Sequence, residues 1–294
     1  MEPYHKKFLE KRFFERIMEE DNTAYDDCVL ENAKRIIWFG KNAGVDTRNS
    51  IEQFPRKAGP QQYWNRKQYF GDHCFVETHT FTYLDKERCH PKLYGTSMEV
   101  VACCRLNDDG VITHFEEFAD SDFLSKGPRP VPAPQRPPHE VEIYQPNDNI
   151  VNVNAGKDLL GEMFDKIMLF EEMSYLFGKK CRTAQMFVDT FFEPTYGELH
   201  PNKNGRIKIG GDDRPIYTAR RVYSGKGWAC ECHTVTLSRY PERPQERYRG
   251  EIAALCEVDE DEKISLFLEF GHRSSIAKNR VQDNDGRRVM NSKL

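Results

Sequence analysis

Glu77-Thr78-His79-Thr80-Phe81-Thr82 and, 154 positions later, Glu231-Cys232-His233-Thr234-Val235-Thr236 are the two stretches that decide the fold of this chain. Both are rich in Thr, Val and aromatic residues, a composition that suits a pleated, half-buried surface. Strand alternation then puts Phe75, Glu77, His79, Phe81 and Tyr83 on one face, and Ala229, Glu231, His233, Val235 and Leu237 on one face of the second strand. Each face mixes apolar residues with one Glu and one His. A solvent face would not carry Phe81 and Tyr83, and a plain core face would not carry Glu and His. An apolar interior with a few convergent polar groups is the pattern of a ligand pocket; a rim carboxylate beside a satisfied core histidine is the other reading.

The two stretches belong to a longer internal repeat. Phe14-Glu15-Arg16-Ile17-Met18 answers Phe164-Asp165-Lys166-Ile167-Met168 at offset 150. Tyr94 answers Tyr248 at offset 154, and Glu99, Cys104, Ile112 and Glu117-Phe118 answer Glu251, Cys256, Ile264 and Glu269-Phe270 at offset 152. The order is preserved and the offsets drift by a few residues, as loop insertions would cause. Seven prolines between Lys126 and Pro146 mark the boundary, because such a stretch makes neither a helix nor a central strand. The expected organisation is one domain over 1–125, an extended linker over 126–148, and a second domain over 149–294.

Within each half helices come first and strands later. Phe8, Phe13, Phe14, Ile17 and Met18 recur at mostly helical spacing, as do Leu159, Leu160, Met163, Phe164, Ile167, Met168 and Phe170. Second helices are expected over Tyr25–Arg35 and Arg182–Thr190, and short third ones over Gln61–Tyr69 and Ile216–Tyr223. Strands are expected over His73–Tyr83, Ser97–Leu106, Val111–Phe118, Trp228–Leu237, Ile252–Val258 and Lys263–Phe270. Asn107-Asp108-Asp109-Gly110 and Asp259-Glu260-Asp261-Glu262 are hairpin turns. Helices on one face of an antiparallel sheet make an α+β domain.

Composition narrows the function. At 38% hydrophobic and 12% aromatic residues the chain can fill a core, which excludes intrinsic disorder. A mean hydropathy of −0.76 and the lack of a long apolar run exclude a membrane-spanning helix. The N-terminus has no apolar stretch after its charges, so no secretory signal is expected. A net charge of −4 gives no basic field for nucleic acid. Nine cysteines, an odd number without a CxxC pair, read as core thiols of a reducing, cytoplasmic setting. Cys89-His90 and Cys232-His233 are fragments of a metal site at most. There is no GxSxG elbow, Walker loop, HExxH or GxGxxG, and Gly205–Gly211 reads as a strand between turns. No metal or cofactor is expected.

The segment Asn107-Asp108-Asp109-Gly110-Val111-Ile112-Thr113-His114-Phe115-Glu116-Glu117-Phe118-Ala119-Asp120 resembles the last hairpin of the nuclear-transport-factor-2-like superfamily, and within it the SnoaL-like enzymes. Lys263–His272 is similar, with His272 where the pattern ends in Asp. The resemblance implies two tandem cone-shaped domains, each a curved sheet wrapped by about three helices around a pocket. Members of that superfamily include ketosteroid isomerases, scytalone dehydratase, limonene epoxide hydrolase, polyketide cyclases and non-enzymatic adaptors. Tandem copies resemble the paired-domain epoxide hydrolases of polyether biosynthesis. In the resemblance Glu117 falls where limonene epoxide hydrolase-like enzymes place an acid in the pocket.

The candidate catalytic residues are therefore His79, Glu117 and Glu77 in the first half, and His233, Glu269, Glu231 and Asp189 in the second. Asp27, Tyr63 and Arg48 are weaker candidates. A carboxylate in an apolar pocket has its charged form disfavoured and can serve as a general acid near neutral pH, with a neighbouring His or ionised carboxylate as base. Such a pair opens epoxides, dehydrates alcohols, moves double bonds or closes rings on a hydrophobic small-molecule substrate. The rival expectation is a non-catalytic binding or scaffold protein. Its halves would form an intramolecular pseudo-dimer through Cys74, Val76, Thr78, Trp228, Cys230 and Cys232 on the opposite strand faces.

Overall fold

The computed structural model describes residues 1–21, 23–38, 61–84, 86–87, 94–95, 97–119, 136–169, 171, 173–179, 181, 216–238 and 247–271. Asp189, Arg48, Cys89-His90, the helix expected over 182–190 and the 205–211 stretch lie outside the described residues. The chain divides into two compact units, Met1–Gln145 with Tyr223–Gly225, and Pro146–Val222 with Lys226–Leu294. Each is α+β, with helical segments packed on a mainly antiparallel sheet.

In the first unit three short helices come first: α1 (Pro3–Glu10), α2 (Phe13–Met18) and α3 (Ala24–Cys28). Pro3 opens α1 where its missing N–H is not needed. Arg12, in the left-handed region at φ 53°, turns the chain between α1 and α2. Phe8, Phe13, Phe14 and Ile17 are buried from these helices. Phe8 and Phe14 pack on Phe75 of the sheet, at 4.7 and 5.9 Å between ring centres. The sheet runs β1 (Val29–Ile37), β5 (Ile112–Ala119), β4 (Ser97–Leu106), β3 (Cys74–Tyr83), β2 (Gln61–Gly71) and β6 (Glu142–Ile143). Strands β2 to β5 pair antiparallel, whereas β1 joins β5 and β6 joins β2 in parallel. The β4–β5 turn is held by the Asn107 side-chain oxygen, which accepts the Asp109 and Val111 N–H groups, with Gly110 at φ +65°.

The second unit has one long helix, α4 (Ala155–Leu169), a short 3-10 turn (Ser174–Leu176), and a sheet in the order β10 (Ile264–Gly271), β9 (Arg247–Val258), β8 (Trp228–Ser238) and β7 (Ile216–Gly225). Leu159, Leu160, Met163, Phe164 and Ile167 bury the inner stripe of α4. Gly156 lets α4 approach β8, since a Cβ there would lie 2.6 Å from the Trp228 carbonyl carbon. The β9–β10 turn repeats the first, with the Asp259 carboxylate accepting the Asp261 and Lys263 N–H groups.

Three expectations are corrected. The helix expected over Tyr25–Arg35 stops at Cys28, and Val29–Ile37 is strand β1. The stretches expected as third helices, Gln61–Tyr69 and Ile216–Tyr223, are strands β2 and β7. Part of the expected linker, residues 136–144, runs along β2: the Asn65 N–H donates to the Arg136 carbonyl at 3.1 Å and the Tyr144 N–H to that of Gln68 at 2.8 Å. This covers the β2 edge, which would otherwise present unpaired backbone groups. Among the described residues no helix is long and apolar enough to cross a membrane, and the eight described cysteines are buried and form no disulfide.

Candidate active site

The inner face of the first sheet is set by register. Glu77 on β3 lies beside Ala102 on β4, which lies beside Glu117 on β5; one row along, His79 lies beside Val100 and then Ala119. Two strand spacings separate the Glu77 and Glu117 backbones, about 10 Å. The next strand adds what alternation alone would not. The β2–β3 register shifts between Trp64 and Lys67, and Asn65 has φ 53°. This bulge turns Tyr63 and Arg66, three positions apart, to the same face.

Arg66 is 0% exposed and grips the fully buried Glu77 with two hydrogen bonds, Nε to Oε1 at 2.8 Å and Nη2 to Oε2 at 2.9 Å. Its Nη1 reaches Glu15 of α2 at 2.5 Å, and the Gln68 amide donates to Glu77 Oε2 at 2.8 Å. His79 Nδ1 lies 3.4 Å from Glu77 Oε1, at the outer edge of hydrogen bonding. The Tyr63 ring stacks on the imidazole at 4.2 Å and 17°, and Phe14 meets its edge at 6.0 Å. Both ring nitrogens of His79 are buried with no partner in hydrogen-bond geometry among the described residues.

The charges follow from these contacts. Burial opposes the Glu77 charge, but His79 and Arg66 outweigh it and hold the carboxyl at about 2. Burial pushes His79 below the ordinary imidazole range, against the pull of Glu77. Burial also works against Arg66, and the Glu77 and Glu15 carboxylates more than offset it, so its pKa is raised. The result is an anionic Glu77, a cationic Arg66 and a neutral His79.

Glu117 differs. Among the described residues its carboxyl makes no hydrogen bond, and burial alone pushes its pKa up to about 7. Its charge acts on Tyr25 and Tyr63, whose phenols burial has already pushed up. The neighbouring Glu116 points to the other face and accepts the Trp38 indole N–H at 3.0 Å.

The second unit holds a counterpart set. Ala219 has φ 51°, and Arg220 beside it donates from Nε and Nη2 to Glu231 at 2.7 and 3.0 Å and from Nη1 to Asp165 of α4 at 2.8 Å. His233 Nδ1 lies 3.3 Å from Glu231 Oε1, and both ring nitrogens are again buried without a partner in hydrogen-bond geometry among the described residues. Phe164 and Tyr217 meet the ring edge-on at 4.4 and 4.7 Å. Burial opposes ionisation of Glu231, yet His233 and Arg220 hold its pKa below the usual carboxylate range. Glu231, Ala254 and Glu269 form a row across β8, β9 and β10. Glu269, however, is exposed.

Of the candidates, Glu77 with His79 and Glu231 with His233 are therefore in close contact, and Glu117 and Glu269 each stand two strands from their glutamate. Asp27 is exposed and paired with Arg16 at 2.6 Å, away from this set. Glu99 and Glu251 accept the Thr80 and Thr234 hydroxyls. Arg66, Arg220 and Tyr217 were missing from the sequence-based set. The signal was present: the offset of 154 that relates Glu77 to Glu231 also relates Tyr63 to Tyr217 and Arg66 to Arg220.

An α+β unit with a carboxyl poised inside its sheet is the class of protein defined so far. The chain is similar to several solved structures. An NTF2-like protein from Burkholderia thailandensis E264 shares 14% identity over 43% of this chain and 97% of its own, with a TM-score of 0.34. A protein described as a SnoaL-like polyketide cyclase from Jannaschia sp. CCS1 shares 12% over 43% and 94%, with a TM-score of 0.33. An LEH-like epoxide hydrolase from M. tuberculosis shares 16% over 42% and 80%, with a TM-score of 0.24. No protein-family model matches the sequence, and no curated protein matches it. At that identity and TM-score the likeness says nothing of chemistry, which has to come from the residues.

Proposed function

We propose that the first half is a cofactor-independent acid–base enzyme of specialised metabolism. Its substrate is a hydrophobic, polyketide- or terpenoid-like small molecule, and its reaction a cyclisation, isomerisation, dehydration or epoxide opening. The observation that supports this is Glu117, a carboxyl on an apolar face with no hydrogen bond among the described residues and a pKa of about 7. Such a group is about half protonated at neutral pH, where proton donation is most effective. It donates a proton to a leaving or epoxide oxygen. The neutral His79 is the acceptor on the same sheet face, and Tyr63, stacked on His79 and within reach of the Glu117 charge, stays protonated as a second donor. Glu77 takes no proton in this scheme, because Arg66 and His79 hold it ionised. For the second half the exposure of Glu269 favours binding without proton transfer.

The test is turnover of a panel of apolar epoxides and β-hydroxy ketones by the full chain. Glu117→Gln should lower kcat by about 100-fold or more with circular dichroism unchanged. The wild-type rate should fall as pH rises through about 7, as the acid form is lost. Unchanged turnover in Glu117→Gln rejects the assignment.

A further inference from the structure

The Arg–Glu pair beside each histidine is left without a role by the chemistry of Glu117. Both histidines are at most 1% exposed, and both keep Nδ1 within 3.4 Å of a carboxylate that an arginine chelates. A carboxylate only accepts hydrogen bonds, so it favours the tautomer with its proton on Nδ1. The lone pair then sits on Nε2; among the described residues neither ring nitrogen has a partner in hydrogen-bond geometry in either half, and Nδ1 is the one that faces the carboxylate, at 3.4 and 3.3 Å. An unpaired buried acceptor is unfavourable. It recurs at the same repeat position twice, each time with an aromatic shell of Phe14 and Tyr63 or Phe164 and Tyr217, and none of the described residues supplies the donor.

We infer that Arg66 and Glu77 are positioning residues that hold His79 as its Nδ1–H tautomer, so that Nε2 accepts a hydrogen bond from the hydroxyl group of a bound apolar molecule, and that Arg220 and Glu231 do the same for His233. This rests on the reading of the interior as a ligand site and narrows the ligand to one carrying an O–H donor on an apolar frame. The arginine is the anchor of the device: it joins the glutamate to a helix of its own half, α2 through Glu15 at 2.5 Å or α4 through Asp165 at 2.8 Å. It thereby fixes the carboxylate against rotation. In the first half Gln68 adds a further clamp that Val222 cannot supply in the second.

The experiment is nitrogen NMR on the full chain labelled with 15N-histidine. In the wild type His79 and His233 should both show the Nδ1–H tautomer. A double variant, Arg66→Met with Glu77→Leu, replaces the pair by apolar groups and should release His79 from that tautomer while leaving His233 unchanged. An Nε2–H tautomer in the wild type, or an Nδ1–H tautomer that survives the double variant, overturns the positioning role. Titration with 2-naphthol should move both Nε2 resonances, and 2-methylnaphthalene, of similar shape without the hydroxyl, should not. Equal responses to the two probes, or none to either, overturn the ligand class. Loss of Glu117-dependent turnover leaves the tautomers as they are, so failure of the enzymatic reading is seen separately.

Discussion

Replacing Glu117 by Gln should stabilise the protein at alkaline pH and leave its stability almost unchanged at acid pH. The folded carboxyl has its pKa raised from 4.5 to about 7, so between those values the folded chain holds a proton that the unfolded chain has lost. Stability therefore falls as pH rises through this window. Below about 4.5 the group is neutral in both states and contributes nothing. Above about 7 the full penalty is present. At about 1.4 kcal/mol per tenfold change in proton affinity, it amounts to about 3 kcal/mol, an upper value because Glu117 is only partly buried as a residue. Gln has nearly the same volume and stays neutral, so it mimics the protonated acid at every pH. The assay is urea unfolding of the full chain and the variant across about pH 4 to 8.5. The variant's advantage should grow with pH and level off above neutrality. A difference that is independent of pH, or a variant less stable than wild type at alkaline pH, refutes the assignment of an uncompensated interior carboxyl.

Two further outcomes concern the frame around the site. Arg66→Met alone leaves Glu77 ionised and buried without its partner and should destabilise the fold by about 3–5 kcal/mol in chemical denaturation. Adding Glu77→Leu should recover most of that loss, because a packed apolar pair avoids the desolvation of both charges. Gly156→Ala puts a Cβ 2.6 Å from the Trp228 carbonyl carbon and should destabilise the second unit by about 1–3 kcal/mol or more, read as a lowered Tm.

The strands bearing Glu77, His79, Glu231 and His233 were legible because their alternation is unbroken, and the hairpins that follow them, β4–β5 and β9–β10, because their turns carry strong signals at Asn107–Gly110 and Asp259–Glu262. Strand β2 was not, for a physical reason. Its bulge at Asn65 makes the inward residues Tyr63, Arg66, Gln68 and Phe70, so the first step is three positions instead of two. A step of three is also the spacing of a helix face, so residues 61–69 do not show strand alternation, and a short helix was expected where strand β2 lies. Residues 216–223 mislead in the same way through Ala219, where Tyr217 and Arg220 turn inward. Strand β1 was hidden by its own register shift between Val29 and Lys34, and by polar residues such as Glu31 and Lys34 that suit a helix equally well. At the site, sequence located the carboxylates and histidines but not their electrostatics. Glu77 and Glu117 look alike in the sequence; His79 and the arginine brought in by the bulge hold one near 2, and burial without such partners leaves the other near 7.

The most direct measurement is the titration of the Glu117 side-chain carbon in 13C-glutamate-labelled full chain, assigned by comparison with Glu117→Gln. A midpoint near 7, with Glu77 still ionised at the acid end of the folded range, is the predicted result. A midpoint for Glu117 near the ordinary 4.5 contradicts the account, because the group would then be an ionised surface carboxylate with no proton to give at neutral pH.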